Sequence, residues 1–267
     1  MSGPLSGIRI LDLTNVISGP FATMILADQG ADVIKVELPG IGDFVRSTGN
    51  KQGGMSATFL NNNRNKQSIT IDLKDKRGKD VLLKLAESCD VVVQNFRPGV
   101  VERIGIAYDD VKKVKPDIIY LSISGFGEKG PYSQKPTYDP IVQALSGLTT
   151  VQAGSDEERP RLIRTIVPDK VTALTASQAM TAGLLSKYRT GEGQHIRLSM
   201  LDSVIAFMWS SDMGGQTYVG KQVSAQRAAS FIDLIYETKN GYMSVSTMTN
   251  AQWAGLSRAA EKPDWLD

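Results

Sequence analysis

Ile8-Arg9-Ile10-Leu11-Asp12-Leu13, then Gly19-Pro20, a helix-like stretch to Gln29, Gly30, and Asp32-Val33-Ile34-Lys35-Val36-Glu37 form the stretch that decides the fold. Proline in a first helical turn and glycine just past a last one delimit a helix over 20–29. A helix set between two β-branched runs is a βαβ unit, whose strands must lie parallel. The alternation continues outward. Strands are expected over residues 8–13, 32–37, 68–73, 91–95, 118–124, 162–167 and 195–199, with helices over 20–29, 78–87, 100–104, 109–114, 140–148 and 169–188. Such alternation predicts an α/β protein with a parallel sheet covered by helices.

From Met200 the pattern changes. A Met-, Trp- and Ser-rich helical stretch over 201–213 leads to a polar, Gly-containing passage over 214–230 that reads as a linker or lid. Residues 232–247 alternate around Lys239-Asn240-Gly241, a strong hairpin signal, and a last helix is expected over 250–260.

At 267 residues and 41% hydrophobic, the chain can bury a sizeable core. A net charge of +2 without a basic block gives no nucleic-acid footprint. No apolar run reaches membrane-spanning length and no secretory leader is evident, so the expected location is the cytoplasm. The single Cys89 allows no internal disulfide, in keeping with a reducing compartment. With His195 as the one histidine, a Ser-His-Asp triad or a His-built metal site has few starting points. No metal is expected.

Pro168-Asp169 stands where an apolar run meets a long helix-like segment, at the end of the sheet where α/β folds hold ligands. Asp169 is either a helix N-cap or a catalytic carboxylate, and spacing alone leaves both open. Asn95-Phe96-Arg97-Pro98-Gly99 follows a central strand; it is either a ligand loop using Arg97 and Arg103 on phosphates or a capping turn with solvated arginines. Gly125-Phe126-Gly127-Glu128-Lys129-Gly130 matches GxGxxG after a strand. Pro131-Tyr132-Ser133 follows in place of a helix, so a turn lining a site is the better reading than a nicotinamide loop. Glu192, within Thr190-Gly191-Glu192-Gly193-Gln194, belongs to a helix-ending turn, and His195 reads as an ordinary hydrogen-bonded side chain rather than an acid/base.

In order and spacing, the chain from Leu5 onward resembles the class III CoA-transferases, the family of formyl-CoA transferase and crotonobetainyl-CoA:carnitine CoA-transferase. The motifs are Leu5-x-Gly7-Ile8-x-Ile10-Leu11-Asp12, Gly19-Pro20, Gly30-Ala31-Asp32-Val33-Ile34-Lys35-Val36-Glu37, Asn95-Phe96-Arg97-Pro98-Gly99, Ser122-Ile123-Ser124-Gly125-Phe126-Gly127, Tyr138-Asp139 and Thr190-Gly191-x-Gly193-Gln194. The resemblance implies a Rossmann-like open, mostly parallel sheet with helices on both faces, then a linker and an incomplete small α+β domain. The boundaries expected are 1–199 for the CoA-binding part, 200–230 for the linker and 231–267 for the small domain.

The resemblance puts the family's nucleophile on Asp169, working through an aspartyl anhydride and an aspartyl-CoA thioester. It implies CoA contacts at Val16, Ile17 and Ser18, at Asp72, Leu73 and Lys74, at Asn95, Phe96 and Arg97, and at Arg103, Lys135 and Tyr138. CoA or acyl-CoA is then the substrate, with no tightly bound cofactor. Ile17 stands where formyl-CoA transferase has Gln and Leu38 where it has Arg, so the formyl and oxalyl substrates do not carry over. The superfamily's acyl-CoA racemases have His where this chain has Tyr138, and a phenol is a poor base near neutral pH, which favours transfer. Family members are usually longer, with two chains interlocked as linked rings. A homodimer is therefore expected, and the alternatives are a second chain completing the fold or a noncatalytic CoA-binding subunit.

Overall fold

The structure is a computed structural model that describes residues 3–154, 157–220 and 234–266. In chain order its elements are β1 (Arg9–Asp12), α1 (Ser18–Asp28), β2 (Asp32–Glu37), β3 (Lys51–Gln52), β4 (Met55–Ser56), α2 (Ala57–Asn63), β5 (Lys66–Thr70), α3 (Lys76–Ala86), β6 (Val91–Gln94), α4 (Val100–Ile104) and α5 (Tyr108–Val114). They continue as β7 (Ile119–Ser124), α6 (Asp139–Leu145), α7 (Leu148–Ala153), α8 (Val167–Thr190), β8 (Gln194–Ser199), α9 (Met200–Trp209), α10 (Gly214–Thr217), β9 (Ile235–Thr238), β10 (Gly241–Ser244) and α11 (Asn250–Ala259).

Six strands form one sheet in the order β5-β2-β1-β6-β7-β8, and every neighbouring pair is parallel. The chain lays strands outward from β1 in one direction, then returns to its other side with β6. At such a reversal the loops leaving β1 and β6 diverge and open a crevice at the carboxyl ends of the strands.

Both faces of the sheet are covered, which is why its strands read as continuous apolar runs rather than as alternation. One face packs Ile10, Val33, Val93, Ile119 and Leu121 against Leu26 of α1, Ala176 and Met180 of α8 and Val204 of α9. The other packs Leu11, Val92 and Tyr120 against Leu82 of α3, Val101 of α4 and Val111 of α5. Each such aliphatic side chain contributes about 1.5–3 kcal/mol through burial.

The α/β expectation is met, with instructive departures. Residues 162–167 are not a strand: β8 already occupies the place beside β7, and this segment leans instead on the side chain of Gln143. Gln143 Oε1 accepts from Ile163 N–H at 2.9 Å, while its Nε2 donates to the carbonyls of Ile163 at 3.4 Å and Thr165 at 3.3 Å. A side chain thus satisfies backbone groups that β-branched composition had assigned to a ladder. The helix expected over 140–148 is broken in two by Gly147, whose φ of 84° begins α7. The short β3–β4 pair and α2 were not foreseen.

The core also runs past residue 199. Met200, Val204 and Met208 of α9 are buried in the same cluster as β7 and α8, so this helix is part of the α/β body rather than a free linker. The hairpin is present as antiparallel β9 and β10 around Lys239-Asn240, followed by α11. Its expected first residues, 232–233, and the passage 221–230 lie outside the described residues. Among the described residues no helix is long and apolar enough to cross a membrane.

Candidate active site

At the crevice the loops after β1, β6 and β7 meet the start of α8. Together they line a cleft of about 210 Å³ that includes Val16, Ser18, Asn95, Phe96, Arg97, Ser124, Gly125, Lys135, Tyr138, Asp139 and Asp169, over an apolar floor of Ile123 and Met200. Eight of the residues anticipated from sequence are therefore brought together: Val16, Ser18, Asn95, Phe96, Arg97, Lys135, Tyr138 and Asp169.

Asp169 does not cap its own helix. Ile166 holds the N-cap position of α8, without a side-chain bond, and Asp169 sits three residues inside. The N–H of Asp169 donates to Asp139 Oδ2 at 3.2 Å, so a carboxylate from α6 caps α8. The Asp169 carboxylate in turn faces the hydroxyl and backbone N–H of Ser18, the first residue of α1, whose N-terminus has no side-chain cap of its own. Each helix start is thus served by a carboxylate from another segment, where N–H groups and the helix dipole favour negative charge.

Burial, reinforced by the neighbouring Asp139 carboxylate, pushes Asp169 up to about 6; the bonds from Ser18 work in the opposite direction. Burial also raises Asp139, against hydrogen bonds from Gln143 and the Asp169 N–H. Among the described residues no ion pair reaches either carboxylate, and Lys170 lowers Asp139 only from longer range. Two carboxylates sharing a site without a counter-cation are a functional arrangement more often than a stabilising one.

The loop before α1 is under strain. Val16 has a φ of 72°, a region that a β-branched residue enters at a cost of about 1–2 kcal/mol. It is stapled on both sides. Asn95 Nδ2 donates to Asn15 O at 2.8 Å and Asn95 Oδ1 accepts from Asn15 N–H at 3.0 Å, while Val16 N–H donates to Asp43 Oδ1 at 3.2 Å. The side chain of Asn95 is therefore committed to joining the β1 and β6 loops. Gly19 has to be glycine, because a Cβ there would lie 2.3 Å from Cβ of Thr14.

At the mouth, the Arg97 and Lys135 side chains are exposed, with Lys135 Nζ 3.9 Å from the ring centre of Tyr132. The Gly125–Gly130 stretch is a loop with no helix after it, as expected; a Cβ on Gly125 would meet Thr137 Oγ1 at 2.0 Å. The remaining anticipated contacts do not line the cleft. Ile17 is buried with Val45 and Phe59. Asp72, Leu73 and Lys74 follow β5, where Asp72 Oδ1 accepts from Lys74 N–H and the segment borders a separate shallow groove. Arg103 lies on α4, its Nη1 close to Gly99 at the rim of the Asn95–Gly99 turn.

His195 sits at the opposite end of the sheet. Its ring stacks on Tyr108 at 4.8 Å, Nε2 is 2.9 Å from Ser122 Oγ, and burial lowers its pKa. Cys89 is buried, and that burial pushes its thiol up to about 11, away from thiolate chemistry. Asp139 was missed as a site residue because its motif partner Tyr138 drew attention first. The signal was available: the next residue, Pro140, opens a helix with Asp139 at its first position.

Residues 5–267 match the model of CoA-transferase family III. The chain is 40% identical over 271 residues to succinyl-CoA:glutarate CoA-transferase of Mus musculus, covering 99% of this chain and 61% of that protein. It is 41% identical over 206 residues to acetyl-CoA:oxalate CoA-transferase of Acetobacter aceti, covering 77% of this chain and 53% of that protein. A crystal structure of a CAIB/BAIF family protein from Brucella suis superposes with a TM-score of 0.86 at 30% identity, covering 99% of this chain and 71% of that one. The chain thus spans little more than half to three fifths of the length of these curated relatives.

Proposed function

The chain belongs to CoA-transferase family III, and on that premise we propose that it moves CoA from an acyl-CoA to a carboxylic acid, with Asp169 as the nucleophile. One observation carries the reading: an Asp169 carboxylate with no ion-pair partner among the described residues, aimed at the first turn of α1 in a cleft whose mouth holds Arg97 and Lys135. The cations suit the diphosphate of CoA, and the apolar floor suits its pantetheine arm.

On this reading the ionised Asp169 attacks the thioester carbonyl, the C–S bond breaks, and a mixed anhydride forms as CoA leaves as thiolate. The thiolate attacks the aspartyl carbonyl, releasing the donor acid and leaving an aspartyl-CoA thioester. An acceptor carboxylate displaces the thiolate to give a second anhydride. Thiolate attack on the acceptor's carbonyl then yields the new acyl-CoA and restores Asp169. Each step passes through an oxyanion, which the first-turn N–H groups of α1 are oriented to stabilise. A partly desolvated carboxylate is both a better nucleophile and, once acylated, a good leaving group.

The named relatives act with succinyl-CoA and glutarate or with acetyl-CoA and oxalate, which supports short dicarboxylic acids as acceptors here. The same reading makes the hairpin and α11 the start of a second, smaller unit and the assembly a homodimer. Incubation with succinyl-CoA followed by hydroxylamine should convert Asp169 to a hydroxamate, read by peptide mass. Undiminished turnover by Asp169→Ala would overturn the assignment.

A further inference from the structure

We infer that Lys35 and Asp43 are positioning residues, a buried pair that holds the turn at 14–16 so that the start of α1 faces Asp169. The inference rests on Asp169 being the reacting carboxylate. Neither residue lines the cleft, and both are almost wholly buried, so any effect on it passes through what they touch.

What they touch is the turn. Lys35 Nζ, from β2, donates to the Thr14 carbonyl at 2.7 Å and lies 2.9 Å from Asp43 Oδ2. Asp43 Oδ1 accepts from the N–H of Val16 at 3.2 Å and of Val45 at 3.1 Å. One ion pair therefore grips the turn at both ends, at the carbonyl before Asn15 and the amide after it. Asp43 is itself fixed: its N–H donates to Glu37 Oε2 at 2.8 Å, and Glu37 is clasped by Arg46 through two bonds of 2.7 Å and by Ser68 at 2.6 Å. The anchor runs back into the sheet, since Lys35 and Glu37 belong to β2.

The gripped residue is the strained one. Val16 at φ 72° would relax without a partner for its amide, and Ser18 is two residues on. Stability is a poor explanation for the pair, because buried ion pairs are commonly replaced by apolar residues at no loss. Directional bonds to a carbonyl and an amide are what an apolar replacement cannot supply.

The test uses the full chain and a readout that needs no turnover: the pH midpoint of carbodiimide labelling at Asp169, followed by peptide mass. Lys35→Met with Asp43→Ala removes both charges together and leaves neither unpaired. The midpoint is expected to move upward as Ser18 withdraws, with a loss of roughly 100-fold in kcat, the scale of a lost oxyanion donor. Adding Val16→Gly, which takes positive φ freely, is expected to bring the midpoint back and recover part of kcat. A purely structural role would change the melting temperature and leave the midpoint in place, and that result would overturn the inference, as would a midpoint that Val16→Gly does not bring back. Should the double variant fail to fold, amide exchange in the unaltered protein decides: Val16 N–H must be as protected as the β1 amides, and free exchange refutes the grip. Failure of the transferase reading is separate, appearing as no adduct on Asp169 in the unaltered chain.

Discussion

The amino end of the one parallel sheet and the cleft at its other end treat their carboxylates in opposite ways. At the amino end, Arg9 pairs with Asp32 at 2.8 Å, and Lys187 Nζ bridges Asp90 at 3.0 Å and Asp117 at 2.9 Å. Burial there would raise Asp117, yet bonds from Lys187 and Lys115 bring it down to about 2. In the cleft Asp139 and Asp169 are neighbours with no ion-pair partner among the described residues, both are raised although Lys170 acts on Asp139 from longer range, and the nearby backbone holds a left-handed valine. One ties strands and α8 together; the other keeps uncompensated charge beside a strained turn. Strain of this kind persists only where the surrounding structure over-determines it, and Asn95, Asp43 and Lys35 do so here.

The sharpest way to break the contrast is Asp169→Asn, expected to lower turnover by at least about 10⁴-fold in a CoA-transfer assay, the scale of removing a nucleophile. The same change should make the protein more stable. Asp169 is raised from 3.8 to about 6, so the native state holds its proton more tightly and stability falls as pH rises across that window. Asparagine removes the penalty, and thermal melts at pH 8 should show a gain of about 1–2 kcal/mol, less than the full shift because the carboxyl is only half buried. The amino end predicts the reverse: Lys187→Met takes the bridging cation from Asp90 and leaves Asp117 with Lys115 alone, and should cost about 1–3 kcal/mol in denaturant titrations with kcat unchanged.

Smaller effects fall at the mouth of the cleft. Arg97→Ala and Lys135→Ala should each raise KM for acyl-CoA about tenfold with little change in kcat, the difference shrinking in high salt. The smallest is a shift of profile. Activity should rise with pH through about 6 as Asp169 ionises, and Asp139→Asn, which removes the neighbouring negative charge, should move that limb to lower pH in a kcat–pH series.

The βαβ opening, the parallel order and the cleft-lining loops were legible because each has a local cause: apolar runs, Gly30 after a helix, a strand ending at Asn95. Residues 162–167 were misread because composition cannot reveal that Gln143, twenty residues earlier, meets their backbone. Spacing left Asp169 open between a cap and a reacting carboxylate for the same reason; its carboxylate faces Ser18 of α1, more than a hundred residues away in sequence. The ionic grip on Val16 left only a faint trace, two charged residues, Lys35 and Glu37, alternating with Ile34 and Val36 in β2. Both are buried, which a one-dimensional pattern cannot distinguish from a solvated face.

The strand order carries a consequence for how this chain acquires its site. β1 gains β2 within a few tens of residues, but its other edge stays open until β6 arrives, with Asp90 N–H closing on the Arg9 carbonyl at 2.8 Å across eighty-one residues. Asp169 lies further along still, on a helix that packs on α1 of the first half and on β7 and β8 of the second. Contacts this distant in sequence form slowly and late. During synthesis, a half-sheet of β5, β2 and β1 would wait with an unpaired central strand, exposed to wrong partners until the second half emerges. On the proposed function, acquisition of CoA binding in a refolding experiment is expected to mark a late event of folding rather than an early one.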